Sequence, residues 1–205
     1  MVDVSTIYLV AGDTVEAVEA ELRDTIEEPQ LVDWQTQWQP ALIETLRALA
    51  QRGVPMAKWP QSWHWDWRQK RAGVAGLLAY PGFSVVAQGV TQGLAQIDLT
   101  RSARAPEHAG KPFAYVDYLE VAPWNRSDLG KTPRLKGVGT ALLSATVALS
   151  DQEGFRGRIG LHSLPQADDF YRRKGLTDLG PDAQYQGLRY FEMSEDHARA
   201  FLEEE

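Results

Sequence analysis

The chain has 205 residues, no cysteine and a formal net charge of −7. This length suits one large domain, and the lack of cysteine excludes a disulfide framework, a thiolate nucleophile and zinc held by cysteine. The negative charge argues against a nucleic-acid partner. No apolar run approaches the roughly 18 residues of a membrane span, and no basic region opens a signal peptide. We therefore expect a cytoplasmic protein without a membrane partner.

Charge is distributed unevenly along the sequence. Residues 1–33 carry nine acids against one arginine, whereas residues 126–174 carry nine lysines or arginines against five acids. A local positive field in an acidic protein favours a small anionic ligand. The acidic segment at the start points towards a cationic substrate or partner.

Residues 1–75 are predicted to be a mainly helical, tryptophan-rich part. A first strand is expected at Ile7–Val10. Asp13 and Glu16 then resemble a capping box that opens a helix ending near Arg23.

Two further helices are predicted in this part. Apolar residues at helical spacing favour a helix over residues 37–52, with Gly53 as its stop. The stretch Trp59–Trp67 fits the spacing of either a helix or a strand, and the helix-prone residues that follow it favour a helix. Its tryptophans are expected to pack in the core or a lid, or to line an acceptor pocket, rather than to stack nucleobases.

From Phe83 onwards, strands and helices follow one another. The predicted elements are a hairpin of residues 83–88 and 93–100, a strand at 113–121, a helix at 136–150, a strand at 158–162, a helix at 167–174, a strand at 188–193 and a terminal helix. A strand followed by a helix and a second strand predicts a parallel pair, and the whole pattern predicts the α/β class.

Two glycines stand at the start of the helix predicted over residues 136–150, where backbone N–H groups attract anions. The dinucleotide pattern GxGxxG fails because Leu142 takes the place of the third glycine. A Walker pattern ending in Gly130–Thr132 fails because Asn125 takes the place of its first glycine, and Pro133 follows where a helix should begin.

A third pattern, R/Q-x-x-G-x-G/A at a helix start after a strand, matches Arg134–Gly139. It resembles the GNAT superfamily of acyl-CoA N-acyltransferases, and Ala167–Leu176 resembles that family's later helix motif, in which an alanine leads to aromatic-Tyr and then to glycine. The resemblance implies an α/β fold (α+β by some schemes) with a central mixed sheet, two splayed parallel strands, flanking helices and a helical N-terminal elaboration. It further implies one domain of residues 1–205, with an acyl-CoA-binding core at 76–195.

The resemblance implies acetyl-CoA, or another acyl-CoA, as co-substrate and no metal. Backbone amides of the glycine loop are expected to hold the pyrophosphate, with two cationic side chains beside them. Val121, at the end of the first splayed strand, would offer its backbone to the pantetheine and the acyl carbonyl. Ser163 or Gln166 would replace the family's usual asparagine, because Leu164 stands at that position. The loop residues are Arg134, Leu135, Lys136, Gly137, Val138, Gly139 and Thr140.

Acyl transfer requires an unprotonated amine, and a lysine-like amine has a pKa near ~10, so a base is needed. The resemblance places this base four or six residues before Val121, at Asp117 or Tyr115, and Asp117 is the first choice. Strand alternation puts Glu120 on the opposite face from Asp117, although a bulge of the kind found in the family would bring it round.

Tyr171 matches the tyrosine that, in the family, protonates the leaving thiolate. A phenol can donate a proton and is neutral at pH 7. The segment 124–133 is roughly ten residues longer than the family's usual connection. It is expected to form either a lid over the cofactor or a surface excursion.

The sequence therefore predicts an N-acyltransferase that moves acetyl from acetyl-CoA to a primary amine by direct attack in a ternary complex. The acceptor is a small molecule or a protein, and the resemblance also allows for a homodimer. A non-catalytic acyl-CoA-binding regulatory or interaction module is the alternative, and a nucleotide hydrolase is a third class. The four histidines lack metal-ligand spacing and are expected to be structural; they are His64, His108, His162 and His197.

Overall fold

A computed structural model describes residues 2–129 and 132–204. Its strands are β1 (Val4–Ala11), β2 (Ala17–Arg23), β3 (Gly82–Ala87), β4 (Val90–Asp98), β5 (Ala114–Val121), β6 (Leu135–Lys136), β7 (Ile159–Ser163), β8 (Thr177–Asp182) and β9 (Leu188–Met193). Its helices are α1 (Glu28–Asp33), α2 (Gln39–Gln51), α3 (Trp67–Ala72), α4 (Val138–Gln152), α5 (Asp168–Arg173) and α6 (Glu195–Glu204). None of these helices is both long and apolar enough to cross a membrane.

The described strands form one mixed sheet in the order β6-β1-β2-β3-β4-β5-β7-β9-β8. Strands β5 and β7 are parallel, which confirms the predicted parallel pair. Their register joins Ala114–Val116 to Ile159–Leu161. Because β5 continues to Val121 beyond these three pairs, the two strands separate after Val116. The predicted mixed sheet with two splayed parallel strands is confirmed.

The chain divides into two compact units. The first unit comprises Met1–Leu77, Gly82–Leu94 and Leu119–Leu142, and the second comprises Leu78–Pro81, Ala95–Tyr118 and Leu143–Glu205. The predicted single domain of residues 1–205 stays a prediction, and each unit is described by itself.

In the first unit, the helix predicted over residues 13–23 is wrong. Residues Ala17–Arg23 form β2, which pairs antiparallel with β1 from Val4 to Val10 and also with β3. The alternation of small or apolar residues with Glu19 and Glu21 gives β2 the period of a strand. Ladder hydrogen bonds along both of its edges outweigh the helix-forming tendency of its alanines and glutamates. The helical part predicted for residues 1–75 therefore begins only at Glu28.

The long helix predicted over residues 37–52 is confirmed and starts earlier. Helix α1, a π-helical turn at Trp34–Trp38 and α2 follow one another without a break from Glu28 to Gln51. The indole N–H of buried Trp38 donates to the carbonyl of Thr91 at 2.8 Å, which ties the turn to β4. Gly53, with φ +72°, follows the end of the helix.

The helix predicted for the stretch Trp59–Trp67 is not continuous. The stretch contains a 3₁₀ turn at Gln61–His64, and regular helix begins only at Trp67. The Asp66 side chain accepts a hydrogen bond from the Gln69 amide at 3.0 Å and so caps α3. Trp67 is fully buried, which confirms the expected core packing for this one tryptophan.

The second unit contains the C-terminal elements largely as predicted. Strand β9 has the predicted bounds of residues 188–193, and α5 lies within residues 167–174. Strand β8 was not predicted, because its sequence contains Gly180 and Pro181, which normally interrupt a strand. The register of β8 with β9 shifts between Asp178 and Pro181, and this irregularity accommodates the two residues.

Helix α4 packs closely on β4 at a glycine of the first unit. The β3–β4 hairpin turns at Gln88 and Gly89, both with positive φ, so Gly93 lies in β4 rather than in the predicted turn. A Cβ atom at Gly93 would lie 2.5 Å from Cγ1 of Val138 and 2.9 Å from Cδ1 of Leu142. This close approach requires glycine.

Replacing Gly93 with alanine is expected to lower the free energy of unfolding by about 1–3 kcal/mol, because the added methyl group overpacks the contact with α4. Urea denaturation measures this change. Gly73→Ala is the matched control, since a Cβ there meets nothing closer than 3.4 Å. Equal stability of the Gly93→Ala variant and the native protein would contradict the close packing.

Candidate functional site

The start of α4 presents free backbone donors in the first unit. The first intrahelical hydrogen bond runs from the Ala141 amide to the Gly137 carbonyl at 2.8 Å. The amides of Gly137, Val138 and Gly139 therefore have no acceptor within the helix. Gly137 has φ +98°, a conformation that favours glycine. These donors and the positive end of the helix dipole suit an anion.

Leu135, two residues before Gly137, is held in place by a side chain. The Leu135 amide donates to Oδ1 of Asn125 at 2.9 Å. Leu135 was predicted to offer its amide to a pyrophosphate; here the amide has a buried partner, and its contact with a cofactor stays a prediction. The Arg134 amide donates to the Trp124 carbonyl at 3.1 Å, so the two ends of segment 124–133 are joined.

A buried glutamine organises the same corner. Oε1 of Gln92 accepts hydrogen bonds from Nε1 of Trp124 and Nδ2 of Asn125, both at 2.9 Å. Its backbone carbonyl accepts from the Ala122 amide at 2.9 Å. Gln92 thus fixes the chain directly after β5. No local sequence pattern marks it, because its partners are about thirty residues away in the sequence.

Strand β1 supports the loop from the other side. The Gly12 amide donates to the Arg134 carbonyl at 2.8 Å, and a Cβ at Gly12 would lie 1.4 Å from the Pro133 carbonyl oxygen. Only glycine allows this approach. Together with the Asn125 hydrogen bond, it fixes the backbone that leads into α4.

Two cationic side chains of the predicted cofactor loop are exposed. They belong to Arg134 and Lys136, and the Arg134 guanidinium lies 5.3 Å from the centre of the Trp124 ring. Exposed cations beside free amides extend the positive field at the start of α4. Gly130 and Lys131, which belong to the weaker Walker pattern, lie outside the described residues.

Glu120 is buried in the first unit near the end of β5. Its Oε2 accepts a hydrogen bond from the Trp67 indole N–H at 2.7 Å, and its Oε1 lies 3.8 Å from Nη1 of Arg126. Burial raises the pKa of the Glu120 carboxyl, whereas the Trp67 hydrogen bond and the Arg126 charge oppose this rise. Nη1 of Arg126 also donates to Ser62 at 2.9 Å. Glu120 therefore links the tryptophan-rich segment to β5, and its enclosure suits this role better than that of a base.

Asp117 lies on β5 in the second unit and is partly exposed. Its Oδ2 accepts a hydrogen bond from Nε2 of Gln96 at 3.1 Å. A partly exposed carboxylate can exchange a proton with solvent. Of the two predicted acids, Asp117 has the more suitable surroundings for a base.

Tyr171 lies on α5, also in the second unit, and is buried. Its ring packs edge-on against Phe170, with centroids 5.1 Å apart, and contacts Phe191 at 6.0 Å. Burial raises the pKa of the Tyr171 phenol, so the group is a neutral proton donor. Ser163, at the end of β7, is buried and donates its hydroxyl hydrogen to the Leu164 carbonyl at 2.9 Å.

No model of a known family matches the sequence, and no curated protein matches it. Several solved structures share its fold. The PaiA N-acetyltransferase of Thermoplasma acidophilum, solved with coenzyme A, is 12% identical with a TM-score of 0.55, over 85% of this chain and 98% of that one. A putative GNAT-family acetyltransferase of Desulfovibrio desulfuricans is 14% identical with a TM-score of 0.51, over 86% and 99%. An N-acetyltransferase of Staphylococcus aureus is 15% identical with a TM-score of 0.50, over 86% and 98%.

At these low identities the likeness shows the fold alone, and that fold is the one of the GNAT superfamily. The fold predicted from the two helix motifs is therefore confirmed.

The raised pKa of Glu120 predicts how stability changes with pH. A carboxyl whose pKa is higher in the folded than in the unfolded state favours folding while it is protonated. This contribution is complete below the ordinary value of 4.5 and is lost as the pH rises through the raised value.

The Glu120→Gln variant cannot ionise, so it is expected to lose less stability than the native protein as the pH rises from about 4.5 into this range. Denaturation in urea at a series of pH values measures the difference. Glu153→Gln, which changes an exposed glutamate, is the control. Identical pH profiles for the native protein and Glu120→Gln would rule out the raised pKa.

Proposed function

We propose that this chain, which has the fold of the GNAT superfamily, transfers an acetyl group from acetyl-CoA to a primary amine by direct attack in a ternary complex. The observation that carries the proposal is the start of α4, where amides without helical acceptors follow a strand that parts from its parallel neighbour. The acceptor is a small molecule or a protein, and a cytoplasmic location belongs to the same proposal.

The proposed seat for the CoA pyrophosphate is the set of amides that begins at Gly137. Val138, Gly139 and Thr140 continue this set, because they form the first turn of α4. The exposed side chains of Arg134 and Lys136 add positive charge that a doubly anionic group requires. The proposed seat does not depend on the Leu135 amide, which donates to Asn125.

The catalytic roles follow from the chemistry of amine attack. Asp117 takes a proton from the ammonium group, because only the neutral amine has the lone pair that attacks the thioester. The backbone of Val121 stabilises the negative charge that develops on the acyl oxygen. Tyr171 gives its phenolic proton to the departing thiolate. Ser163 is the proposed contact to the pantetheine arm.

Acetyl-CoA binding tests the proposed cofactor loop. Asn125→Ala is expected to weaken binding about tenfold, because the Leu135 amide loses its partner and the backbone before Gly137 becomes less ordered. Isothermal titration measures the dissociation constant, and Gln51→Ala, an exposed change on α2, is the control. Absence of acetyl-CoA binding by the native protein would refute the enzyme and equally a non-catalytic acyl-CoA-binding module.

Turnover tests the catalytic roles. With a panel of amines, release of free CoA is expected, and Tyr171→Phe and Asp117→Asn should each lower kcat about 100-fold while acetyl-CoA still binds. Tyr8→Phe, which removes an exposed phenol on β1, is the control. Binding without release of CoA from any amine would favour the non-catalytic module. Full activity of Tyr171→Phe would remove Tyr171 from the mechanism.

A further inference from the structure

A chain of hydrogen bonds joins three side chains of the second unit. The Tyr115 hydroxyl lies 2.8 Å from Nδ1 of His162, and Nε2 of His162 lies 3.0 Å from Oδ2 of Asp182. The side chain of His162 is 3% exposed and that of Asp182 is 12% exposed. The three groups come from β5, β7 and β8, so the fold rather than the local sequence brings them together.

The neighbours of His162 determine its tautomer. A hydrogen bond from Arg104, followed by that from His162, lowers the pKa of Asp182 to about 2, so Asp182 is an ionised acceptor. Nε2 of His162 must then carry a hydrogen. Burial lowers the pKa of His162 despite its hydrogen bond to Asp182, and the charges of Arg104 and Arg101 act in the same direction as burial. At neutral pH the imidazole is therefore neutral, and Nδ1 accepts the hydrogen of the Tyr115 hydroxyl.

Aromatic and charged side chains hold this arrangement in place. The Tyr185 ring stacks on the imidazole of His162, with centroids 3.7 Å apart and planes inclined by 9°. The Arg101 guanidinium lies 4.1 Å from the centre of the Tyr115 ring and donates to Asp98 at 2.8 Å and to the Tyr185 hydroxyl. A cation above the ring stabilises electron density that moves onto the phenol oxygen when its proton moves to His162.

Tyr190 of β9 faces the imidazole, and Glu192 of the same strand accepts the hydrogen of its hydroxyl. The Tyr190 ring lies 4.7 Å from His162, and its hydroxyl donates to Glu192 at 2.6 Å. Glu192 also accepts from the backbone amides of Arg104 and Ala105. Tyr190 is thus directed away from the Tyr115–His162 hydrogen bond.

The position of Tyr115 on β5 places this chain of hydrogen-bonded groups close to Asp117. Tyr115 is opposite Gly160 in the short parallel register, one residue before the last paired residue. Strand alternation places Tyr115 on the same face of β5 as Asp117, two residues later. Both groups therefore lie where β5 begins to leave β7.

Acyl transfer to an ammonium removes two protons from the nitrogen. One must leave before attack, and the other must leave the positively charged nitrogen of the tetrahedral intermediate before an amide can form. Asp117 accounts for the first. We propose that Tyr115, His162 and Asp182 form a proton relay that takes the second, a role that rests on the proposed acyl transfer.

In this relay the nitrogen gives its proton to the Tyr115 oxygen while the original Tyr115 proton moves to Nδ1 of His162. Asp182 stabilises the imidazolium that results. Tyr171 protonates the departing thiolate and regains a proton from solvent. The proton on His162 returns to the Tyr115 oxygen, and the proton that Tyr115 received from the nitrogen passes to solvent. Asp117 releases its proton to solvent. One ammonium and one thioester thus give one amide, one thiol and one free proton. Tyr115 acts on the reacting atoms, whereas His162 and Asp182 position its hydroxyl and accept its charge.

Kinetics with a reactive amine test the relay. Tyr115→Phe should lower kcat about 100-fold without weakening acetyl-CoA binding, because the intermediate loses its proton acceptor. Tyr190→Phe removes a neighbouring phenol that does not bond to Nδ1 and should keep the native rate. Thermal unfolding of both variants shows whether they fold.

The pH profile separates the relay from a structural role. The native kcat should fall as the pH drops through the lowered pKa of His162, below the ordinary value of 6.5, because an imidazolium cannot accept a proton. Asp182→Asn should move this fall to lower pH, since the Asp182 hydrogen bond raises the pKa of His162. His162→Gln should abolish it together with most of the rate.

Nitrogen NMR of the free protein tests the geometry without turnover. The Nε2–H tautomer of neutral His162 is expected at pH 7, with an Nδ1 signal that changes in Tyr115→Phe. An Nδ1–H tautomer, or a protonated imidazole at pH 7, would overturn the relay even if the enzyme turned over. Native kcat in Tyr115→Phe would overturn the relay alone, whereas absence of turnover with every amine would overturn the proposed function and the relay together.

Discussion

The hydrogen bond from the Leu135 amide to the Asn125 side chain is the constraint on which the candidate cofactor site depends. It closes the segment 124–133 at its base and, with the Gly12 contact, sets the path of the chain into α4. A helix N-terminus binds an anion well only if its amides are already oriented, because ordering a loop during binding costs conformational entropy. The ten extra residues between β5 and the glycines are therefore compatible with a preformed loop.

The second constraint is the buried carboxyl group of Glu120. Burying a carboxyl group costs free energy unless polar partners surround it, and here the Trp67 indole and the Arg126 guanidinium are those partners. The Glu120 carboxyl group lies where β5, the tryptophan-rich segment and the start of segment 124–133 meet. The hydrogen bond between Trp67 and Glu120 thus gives a structural reason for both residues. It explains why an acidic side chain is buried on β5 and why Trp67 is the one fully buried tryptophan of Trp59–Trp67.

Patterns among residues that are close in sequence predicted some of the helices and strands correctly. The glycines before α4, the apolar face of that helix and the bounds of β9 follow from residues close in sequence. Residues 17–23 were predicted as a helix, because their strand form depends on pairing with β1 and β3, which no local window contains. The same reason explains why Gln92 and His162 were not predicted as partners of other residues, since their partners lie about thirty to fifty residues away in sequence.

The two proposed proton acceptors on β5 differ in their surroundings, and this difference assigns their roles. Asp117 is partly exposed, so a proton that it accepts exchanges with water before the next cycle. His162 is enclosed by Tyr185, Tyr190 and Asp182, so a proton on its imidazole stays within the hydrogen-bonded chain. A partly exposed carboxylate suits the proton that is lost to solvent at once, and an enclosed imidazole suits the proton that must be held until the intermediate collapses. The pairing of β5 with β7 ends at Val116, so Tyr115 and its hydrogen-bonded partners lie at the end of the parallel ladder.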